Sequence, residues 1–443
     1  METTAIKTTF PKYAAYKDSG VEWLGEIPEG WELLRLGSKF EERRSKVSDK
    51  DFPPLSVTKN GIVPQLDNAA KSNDGDNRKL VKKGDFVINS RSDRKGSSGI
   101  ANEDGSVSLI NIVMKPNGVL PNFCNYLLKS TAFVEENYRI GHGIVADLWT
   151  TRYDEMKNIK IGYPSPSEQT AIAAFLDDKT AKIDRVIAQK QQMIALLKER
   201  KQIIIQNAAT GQWSMVNGEW LMTPKDKMKD SGVEWIGEIP EGWEVKRLKF
   251  LIKRAFSGGT PSTDKIEYWD GGIPWISSVD IKTDFLSSTL REISEIGLKR
   301  SSSNIAPKGS VVFVTRSGIL QHTFALSILK NDMAINQDIK CLIFSNYIFE
   351  PYFLRLIQGN NSKILIETRQ QAATVESINM DSFFNLYIPI PSLNEQTTIV
   401  AHIETQSAKI DQAISLQQKQ IEKLKEYKAT LIDSAVTGKI KVG

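Results

Sequence analysis

Two long stretches of the chain carry apolar residues at helical spacing. The first opens on Ser165-Pro166 with a glutamate three residues after the serine, and the second opens on Ser392 with the same glutamate spacing. Gly211 and Gly438 mark the two ends. Each stretch therefore predicts a helix of about 40 residues, roughly 60 Å long. The apolar stripes consist of Ile183, Ile187, Ile194, Leu197 and Ile204 in the first helix, and Ile410, Ile414, Ile421, Leu424 and Leu431 in the second.

A single apolar stripe on so long a helix needs a partner of similar length. A small globular domain cannot cover it, so the two helices are predicted to pair as a coiled coil through these ten residues. A pseudo-two-fold relation between the halves would make the pairing antiparallel. Lys190 and Gln417 interrupt the stripes at equivalent places. They either set the register through polar contacts or direct their side chains to the surface.

Short β-type runs fill the two regions in front of the helices. Gly, Asn and Asp clusters separate these runs, as expected for strands joined by prominent loops. The two regions follow one plan, so each is predicted to be a compact α+β domain. The predicted strands are 84–88, 108–113 and 158–161 in the first region and 309–314 in the second, with helices at 123–137 and 347–358.

Sequence repeats flank both domains. Residues 18–36 read DSGVEWLGEIPEGWELLRL and residues 230–248 read DSGVEWIGEIPEGWEVKRL, identical at 16 of 19 positions. Residues 161–212 match 388–439 at 23 of 52 positions. The 18–36 and 230–248 segments, here named box 1 and box 2, are constant while the inserts differ. We therefore interpret their tryptophans as a structural clasp rather than a ligand site.

The repeats define a layout of constant frames around variable inserts. Such a layout suits two different binding surfaces on one pseudo-symmetric scaffold. The predicted segments are 1–36, an extension with box 1; 37–163, the first insert; 164–212, the first long helix; 213–248, a polar linker with box 2; 249–390, the second insert; and 391–443, the second long helix with a tail.

Composition narrows the class of protein without fixing it. The 443 residues are 40% hydrophobic and 25% charged, with a formal net charge of +5, which permits an acidic partner but does not establish one. No apolar run is long enough to cross a bilayer and the first residues lack a signal peptide, so we expect a cytoplasmic protein. Cys124 and Cys341 stand at non-equivalent positions and are predicted to be buried, reduced thiols.

Three doubled motifs point to a family. They are the DSGVEWxGEIPEGW box, the P-S-x-x-E-Q start of each long helix and the A-K-I-D sequence within it. Together they resemble the specificity subunit of Type I restriction-modification enzymes. The resemblance implies an α+β fold in which two similar target recognition domains are separated by an antiparallel coiled coil of two long helices, with a pseudo-two-fold internal repeat. It also implies a non-catalytic subunit whose domains each read one half of a bipartite, asymmetric DNA sequence.

The resemblance further implies partners for this chain. They are double-stranded DNA, two adenine-methylating modification subunits docked on the helices, and ATP-dependent restriction subunits, with no membrane. The helices would set the length of the unread DNA spacer. No cofactor is expected on this chain; S-adenosylmethionine, ATP and magnesium are expected on the partner subunits, and no catalytic or metal-binding residue is assigned here.

The loop after one shared strand supplies the main candidates for DNA contact. Residues 83–92 align without gaps to 308–317, which places Arg91 and Arg316 at equivalent strand ends. A shared arginine followed by different polar residues suits a phosphate or guanine contact beside base-reading side chains, although a solvated loop whose arginine caps a carboxylate is the alternative. The predicted DNA-binding residues are Arg91, Ser92, Arg94, Lys95, Lys59 and Asn60 in the first insert, and Arg316, Ser317, Gln321 and His322 in the second.

Weaker candidates lie just before the last strand of each insert. They are His142 in the first insert and Arg369-Gln370-Gln371 in the second, where glutamine can pair with adenine through two hydrogen bonds. Trp275 is predicted to be core packing rather than a platform for base stacking, because the bases of a duplex are not exposed.

An enzyme and a coiled-coil scaffold are the alternatives to a DNA-reading subunit. A methyltransferase needs an Asn/Asp-Pro-Pro-Tyr/Phe element and a glycine-rich cofactor loop, whereas the nearest string, DFPP at 51–54, has the wrong order. The three histidines, His142, His322 and His402, offer no metal or triad cluster. A coiled-coil scaffold that ignores DNA would leave two large, divergent inserts without a purpose, and sequence-selective DNA binding discriminates between the two hypotheses.

Overall fold

The chain folds into two units, each of which contains parts of both sequence repeats. The computed structural model describes residues 10–66, 75–143, 149–216, 218–370 and 375–442. The first unit consists of residues 1–191 and 418–443, and the second of residues 192–417. Each unit therefore combines one insert with the beginning of one long helix and the end of the other.

Both predicted long helices are confirmed and each spans 44 residues. The Ser165 hydroxyl accepts from the Glu168 amide at 3.4 Å and the Ser392 hydroxyl from the Glu395 amide at 3.3 Å, as the capping pattern predicts. The helices of the described residues are α1 (Pro121–Lys129), α2 (Thr131–Arg139), α3 (Tyr153–Met156), α4 (Pro166–Ala209), α5 (Glu295–Lys299), α6 (Glu350–Gly359), α7 (Asn361–Thr368), α8 (Met380–Asn385) and α9 (Leu393–Val436).

Among the described residues of the first unit, two antiparallel sheets and three strand pairs are arranged around a central strand, β9. Strand β9 is buried on both faces because Phe86 and Ile88 point into the core that contains α1, while Val87 points into a second apolar cluster. The strands are β1 (Tyr16–Asp18), β2 (Glu26–Pro28), β3 (Glu32–Arg35), β4 (Phe40–Glu42), β5 (Lys46–Val47), β6 (Leu55–Thr58), β7 (Gly61–Pro64), β8 (Arg78–Val81), β9 (Phe86–Asn89), β10 (Ser98–Ile100), β11 (Gly105–Val107), β12 (Asn111–Pro116) and β13 (Lys160–Tyr163). The larger sheets have the orders β10-β9-β12-β4 and β11-β8-β5.

The second unit has larger, mixed sheets around the equivalent strand, β24. All four residues of β24 are buried, and Phe313 packs on Phe324 and Phe383. The strands are β14 (Trp213–Val216), β15 (Glu219–Met222), β16 (Met228–Asp230), β17 (Glu238–Pro240), β18 (Glu244–Arg247), β19 (Ile252–Ser257), β20 (Trp269–Ile276), β21 (Phe285–Leu286), β22 (Arg291–Ile293), β23 (Asn304–Ala306), β24 (Val311–Val314), β25 (Leu326–Leu329), β26 (Met333–Ile335), β27 (Ile339–Phe344), β28 (Arg369–Gln370), β29 (Ser377–Ile378) and β30 (Tyr387–Ile390). The larger sheets have the orders β19-β27-β24-β25-β21 and β22-β20-β26-β23.

The tryptophan boxes act as the predicted clasp. A Cβ atom at Gly438, whose φ is +74°, would overlap Pro28 and approach Trp31 of box 1; one at Gly211, whose φ is +76°, would overlap Pro240 of box 2. Glycine is therefore required at both helix ends for conformation and for space. Box 1 thus holds the end of α9, and box 2 holds the end of α4.

The glutamine of the P-S-x-x-E-Q motif ties each long helix to its insert. Gln169 Oε1 accepts from the Leu120 amide at 3.1 Å, at the start of α1. Gln396 Oε1 accepts from the Phe349 amide at 2.7 Å, at the start of α6. Both glutamines are fully buried, and a buried amide is retained only where its polar atoms find partners. The motif is therefore a joint between frame and insert.

The long helices contact each other in each unit. In the first unit Lys428 Nζ lies 2.7 Å from Asp184, and Lys190 donates to Gln420, so residue numbers rise along α4 as they fall along α9 and the segments are antiparallel. In the second unit Lys201 Nζ lies 2.8 Å from Asp411, the pair equivalent to Asp184 and Lys428. All ten predicted stripe residues are buried or half-buried.

Two predicted segments have more structure than their sequence patterns specified. The segment after Gly211, predicted as a polar linker, contains the antiparallel hairpin β14-β15, in which Trp220 stacks on His402 of α9 with ring centroids 4.1 Å apart. The helical stretches predicted near 123–137 are confirmed as two helices, because Ser130 ends α1 and its hydroxyl caps α2 by accepting from the Phe133 amide at 3.2 Å. In the described part of the chain, no helix is both long and apolar enough to cross a membrane.

Candidate DNA interface

The end of strand β9 is joined to two further extended segments in the first unit. Arg91 forms an antiparallel bridge with Thr150, and Thr150 forms another with His142. The Thr151 amide donates to Ser90 O at 3.1 Å, which fixes this register. Arg91, Thr150 and His142 therefore lie on neighbouring segments, although Arg91 and Thr150 are 59 positions apart in sequence.

The second unit repeats this arrangement after β24. Arg316 forms an antiparallel bridge with Ser377, and Ser377 pairs with Gln370 across β28 and β29. The Ser317 amide donates to Glu376 O at 3.1 Å. The strand-end arginines Arg91 and Arg316 are thus equivalent in structure as well as in sequence. The weaker candidates His142 and Gln370 also occupy one equivalent place, two segments away from each arginine. Gln371 lies outside the described residues.

The basic residues that follow Arg91 differ in their ion pairs and exposure. Residues Ser92–Arg94 form a single 3-10 turn, with Arg91 and Arg94 exposed. Arg94 Nε lies 3.5 Å from the exposed Asp93 carboxylate, a weak surface pair. Lys95 is held by α2, since its Nζ lies 2.6 Å from Glu135 and 4.3 Å from the centre of the Tyr138 ring. The side chain of Ser92 lies outside the described part of the chain.

The residues that follow Arg316 form a capped turn. The Ser317 hydroxyl accepts from the Ile319 amide at 3.5 Å, at the start of the 3-10 helix Gly318–Gln321. Arg369 supports this turn, because its Nη1 donates to Gln321 O at 3.4 Å. Arg316, Gln321 and His322 are exposed. Ser317 and Arg369 thus shape the loop, while the three exposed side chains are available to a ligand.

Lys59 and Asn60 lie in the hairpin turn between β6 and β7. The Asn60 amide donates to the Thr58 hydroxyl at 3.1 Å, which is a local turn contact. A Cβ atom at Gly99 would lie 3.0 Å from Gly61 Cα, so this turn packs on β10, the strand that follows the Arg91 loop. Both side chains are exposed. The structure therefore brings this turn next to the strand that continues from the strand-end loop.

Sequence reasoning missed a basic groove beside Ser90. The groove has a volume of about 470 Å³ and its lining includes Arg44, Lys46, Lys79 and Arg152. Lys46 and Arg152 are exposed, whereas Arg44 and Lys79 share the Glu42 carboxylate at 2.6 and 3.2 Å. The hydrogen bond to Glu42 raises the pKa of Arg44, which keeps its charge. The run EERRSKVSDK at 41–50 is the sequence signal for part of this cluster.

Several aromatic and sulfur side chains are structural, as predicted. Trp275 is buried and its Nε1 donates to Gly259 O at 3.2 Å. Cys124 and Cys341 are buried free thiols; burial raises the pKa of Cys124 and raises that of Cys341 to about 11. Among the described residues, no group of three His, Cys, Asp or Glu side chains is placed to hold a metal ion.

Each strand end presents an exposed arginine on a backbone that is held by a β-bridge. An exposed arginine on a fixed backbone offers a planar pair of donors to a phosphate or to the O6 and N7 atoms of guanine. The exposed polar residues beyond each arginine differ between the units. Two sites with one shared cation and different neighbours can therefore bind one kind of polymer and discriminate between its sequences.

Both halves of the chain match one protein family. Residues 28–195 and 240–426 each match the family described as Type I restriction modification DNA specificity domain. A stretch of 255 residues is 29% identical to the specificity subunit of the Type I restriction enzyme EcoR124I/EcoR124II of Escherichia coli, covering 57% of this chain and 56% of that protein. This match thus spans little more than half of that relative's length.

Longer but more distant likenesses cover nearly the whole chain. The MjaVIII specificity subunit of Methanocaldococcus jannaschii is 24% identical over 443 aligned residues, covering 94% of each chain. A solved structure from work on complex assembly and conformational transition of the type I R-M system aligns with a TM-score of 0.66 and 16% identity, covering 93% of this chain and 98% of that one. This structural alignment supports the fold described above for the chain.

Proposed function

Because this chain belongs to the family of Type I restriction modification DNA specificity domains, we propose that each of its two inserts reads one half of a bipartite, asymmetric DNA target. Recognition of DNA sequence is the property of the family. The observation that carries the division into halves is the repeated strand end, where Arg91 and Arg316 share a backbone position while the exposed residues beyond them differ.

We also propose the assembly in which this reading takes place. The long helices dock two adenine-methylating modification subunits, and ATP-dependent restriction subunits join that complex. This chain is then a non-catalytic subunit, with S-adenosylmethionine, ATP and magnesium bound by its partners. The support is the constancy of the frame: the boxes and helices that would face identical partners repeat, while the inserts that would face different half-sites do not.

An exchange of inserts tests the reading of half-sites. Replacing residues 249–390 by residues 37–163 gives a chain with two copies of the first insert on the unchanged frame. Mapping methylated adenines in cells that carry this chain and its partners should then show an inverted repeat of one original half-site. The reciprocal exchange should give the other half-site. A methylation motif that stays asymmetric after either exchange would contradict the proposal.

A paired insertion tests the spacer. Seven residues added after Gln191 and seven after the equivalent Gln418 lengthen each helix by roughly 10 Å. Since successive base pairs lie about 3.4 Å apart, the spacer between the half-sites should grow by about three base pairs. The same seven residues in the β14-β15 turn serve as the control and should leave the spacer unchanged. An unaltered spacer in the helix-insertion chain argues against the helices as a ruler.

A further inference from the structure

Box 1 covers the side chain of Tyr13 in the first unit. The Tyr13 hydroxyl donates to Glu168 Oε1 at 2.7 Å, and Trp31 Nε1 donates to the same oxygen at 3.0 Å. The two rings meet edge to face with centroids 6.1 Å apart. The phenol thus fills the space between the box and the first turn of α4, and Glu168 is half-buried.

The second unit repeats the walls of this site. Trp243 Nε1 donates to Glu395 Oε1 at 3.3 Å, as Trp31 does to Glu168. The segment ahead of box 2, residues 223–229, reads TPKDKMK and has no aromatic residue that corresponds to Tyr13. Glu395 is exposed, and an open cavity of about 650 Å³ lies beside it. The cavity lining includes Trp213, Met215, Trp220, Glu241, Trp243 and Glu395.

The β14-β15 hairpin gives this cavity fixed aromatic walls. Trp220 stacks on His402, and Trp213 meets the same ring edge to face at 6.5 Å. Met215 of the hairpin lines the cavity and is 47% exposed. Exposed apolar side chains around a concave, rigid site are typical of a protein docking surface.

We propose that this cavity receives a tyrosine side chain from an extended segment of a partner polypeptide. The phenol hydroxyl donates to Glu395 Oε1, and the ring packs between Trp243 and the hairpin tryptophans, as Tyr13 packs against Trp31. The occupant comes from a different protein, since Tyr13 of each copy of this chain is already seated in its own first unit. This docking is independent of DNA reading.

The peptide FPKYAAYKD, residues 10–18 of this chain, is a ready probe. Titrated into the full chain and followed by calorimetry and tryptophan fluorescence, it should bind saturably with one peptide per chain. The Tyr13→Phe peptide should bind about tenfold more weakly, since it lacks a hydrogen bond to a charged acceptor. The Tyr16→Phe peptide is the matched control and should bind like the parent. Equal affinity of the Tyr13→Phe peptide, or no saturation at millimolar peptide, overturns the proposal.

Matched variants of the chain locate the site. Glu395→Gln keeps the helix cap but weakens the acceptor, so it should lower peptide affinity about three- to tenfold. Glu168→Gln alters the equivalent carboxylate under Tyr13 and should have no effect. Weakening by Glu168→Gln alone would mean that the peptide exchanges into the first unit, which contradicts the assignment.

A third variant separates docking from DNA reading. Trp220→Ala should abolish peptide binding and leave sequence-selective DNA binding by the assembled complex unchanged. If Trp220→Ala loses both peptide binding and DNA binding and its melting profile changes, Trp220 is needed for folding. The Glu395→Gln variant and the Tyr13→Phe peptide then decide whether the cavity binds a tyrosine. If the chain alone forms dimers that the peptide dissociates, the occupant is a second copy and the assignment to another protein is wrong.

Discussion

The two units agree closely where a box meets a helix end and differ immediately after the shared strand. Gly438 is seated against Pro28 and Trp31 in one unit, and Gly211 against Pro240 and Trp243 in the other. After β9 a short turn carries Arg94 and a paired Lys95, whereas after β24 a capped 3-10 helix carries Gln321. The packing of the boxes on the helix ends is thus the same in both units, while the exposed side chains after β9 and β24 differ. The proposed recognition of two different half-sites requires this combination.

The units also differ inside the constant frame. Trp31 and Glu168 hold a tyrosine in the first unit. The equivalent Trp243 and Glu395 border an open cavity in the second unit. The tryptophan–glutamate pair is therefore repeated in both units, whereas the tyrosine that packs against it is present in the first unit alone among the described residues. This asymmetry lies at the boxes, whereas the proposed DNA contacts lie at the strand ends.

The largest effect is expected from filling the space at a helix end. Gly211→Ala should lower the free energy of unfolding by about 2–5 kcal/mol, because a strained positive φ adds to overlap with Pro240. Gly232→Ala, at a φ of +70° with open space around it, should cost only about 1 kcal/mol. Urea denaturation followed by tryptophan fluorescence measures both. Equal losses would show that the clasp does not need the close approach.

Substitution of the strand-end arginines tests whether the two units contact DNA in equivalent ways. Arg91→Ala and Arg316→Ala should each weaken specific DNA binding of the assembled complex by about 1–3 kcal/mol. Lys95→Ala should change it by at most about 0.5 kcal/mol, because Glu135 already pairs with that ammonium. Fluorescence anisotropy at fixed salt is the measurement. A Lys95→Ala effect as large as that of Arg91→Ala would refute this ranking.

Tyr13 tests the filled site of the first unit. Tyr13→Phe should lower the free energy of unfolding by about 1.5 kcal/mol, through loss of a hydrogen bond to a carboxylate. Burial, with the Glu168 contact, raises the pKa of Tyr13 above its usual 10.0. Its stabilisation is therefore complete below pH 10 and is lost as pH rises beyond it. The stability difference between the wild type and Tyr13→Phe should shrink above pH 10, and a constant difference up to pH 11 would contradict this.

The smallest effect is expected at the two equivalent ion pairs between the helices. Asp184→Asn and Asp411→Asn should each cost about 0.2–0.5 kcal/mol, because both carboxylates are 57% exposed. The loss should disappear in 1 M salt, where the Debye length is about 3 Å. Unequal losses in matched urea denaturation experiments would reveal an energetic asymmetry that the shared geometry hides.

Local patterns allowed much of the frame to be predicted. The serine caps, the glycine stops and the apolar stripes specified both long helices, because these signals act within one or two turns of chain. The gap-free match around Arg91 and Arg316 also predicted their equivalence. The β14-β15 hairpin escaped prediction, since its few alternating residues are stabilised by packing on His402 from a distant helix.

The sequence by itself determined the doubled frame, the α+β class of the inserts and the family, because repeated motifs and caps are written in neighbouring residues. Only the tertiary structure decided which side chains meet. It placed Thr150 beside Arg91 and Ser377 beside Arg316, neutralised Lys95 with Glu135, and filled one box with Tyr13 while leaving the other open. Contacts between residues far apart in the chain depend on the packing of whole elements, which no local pattern encodes.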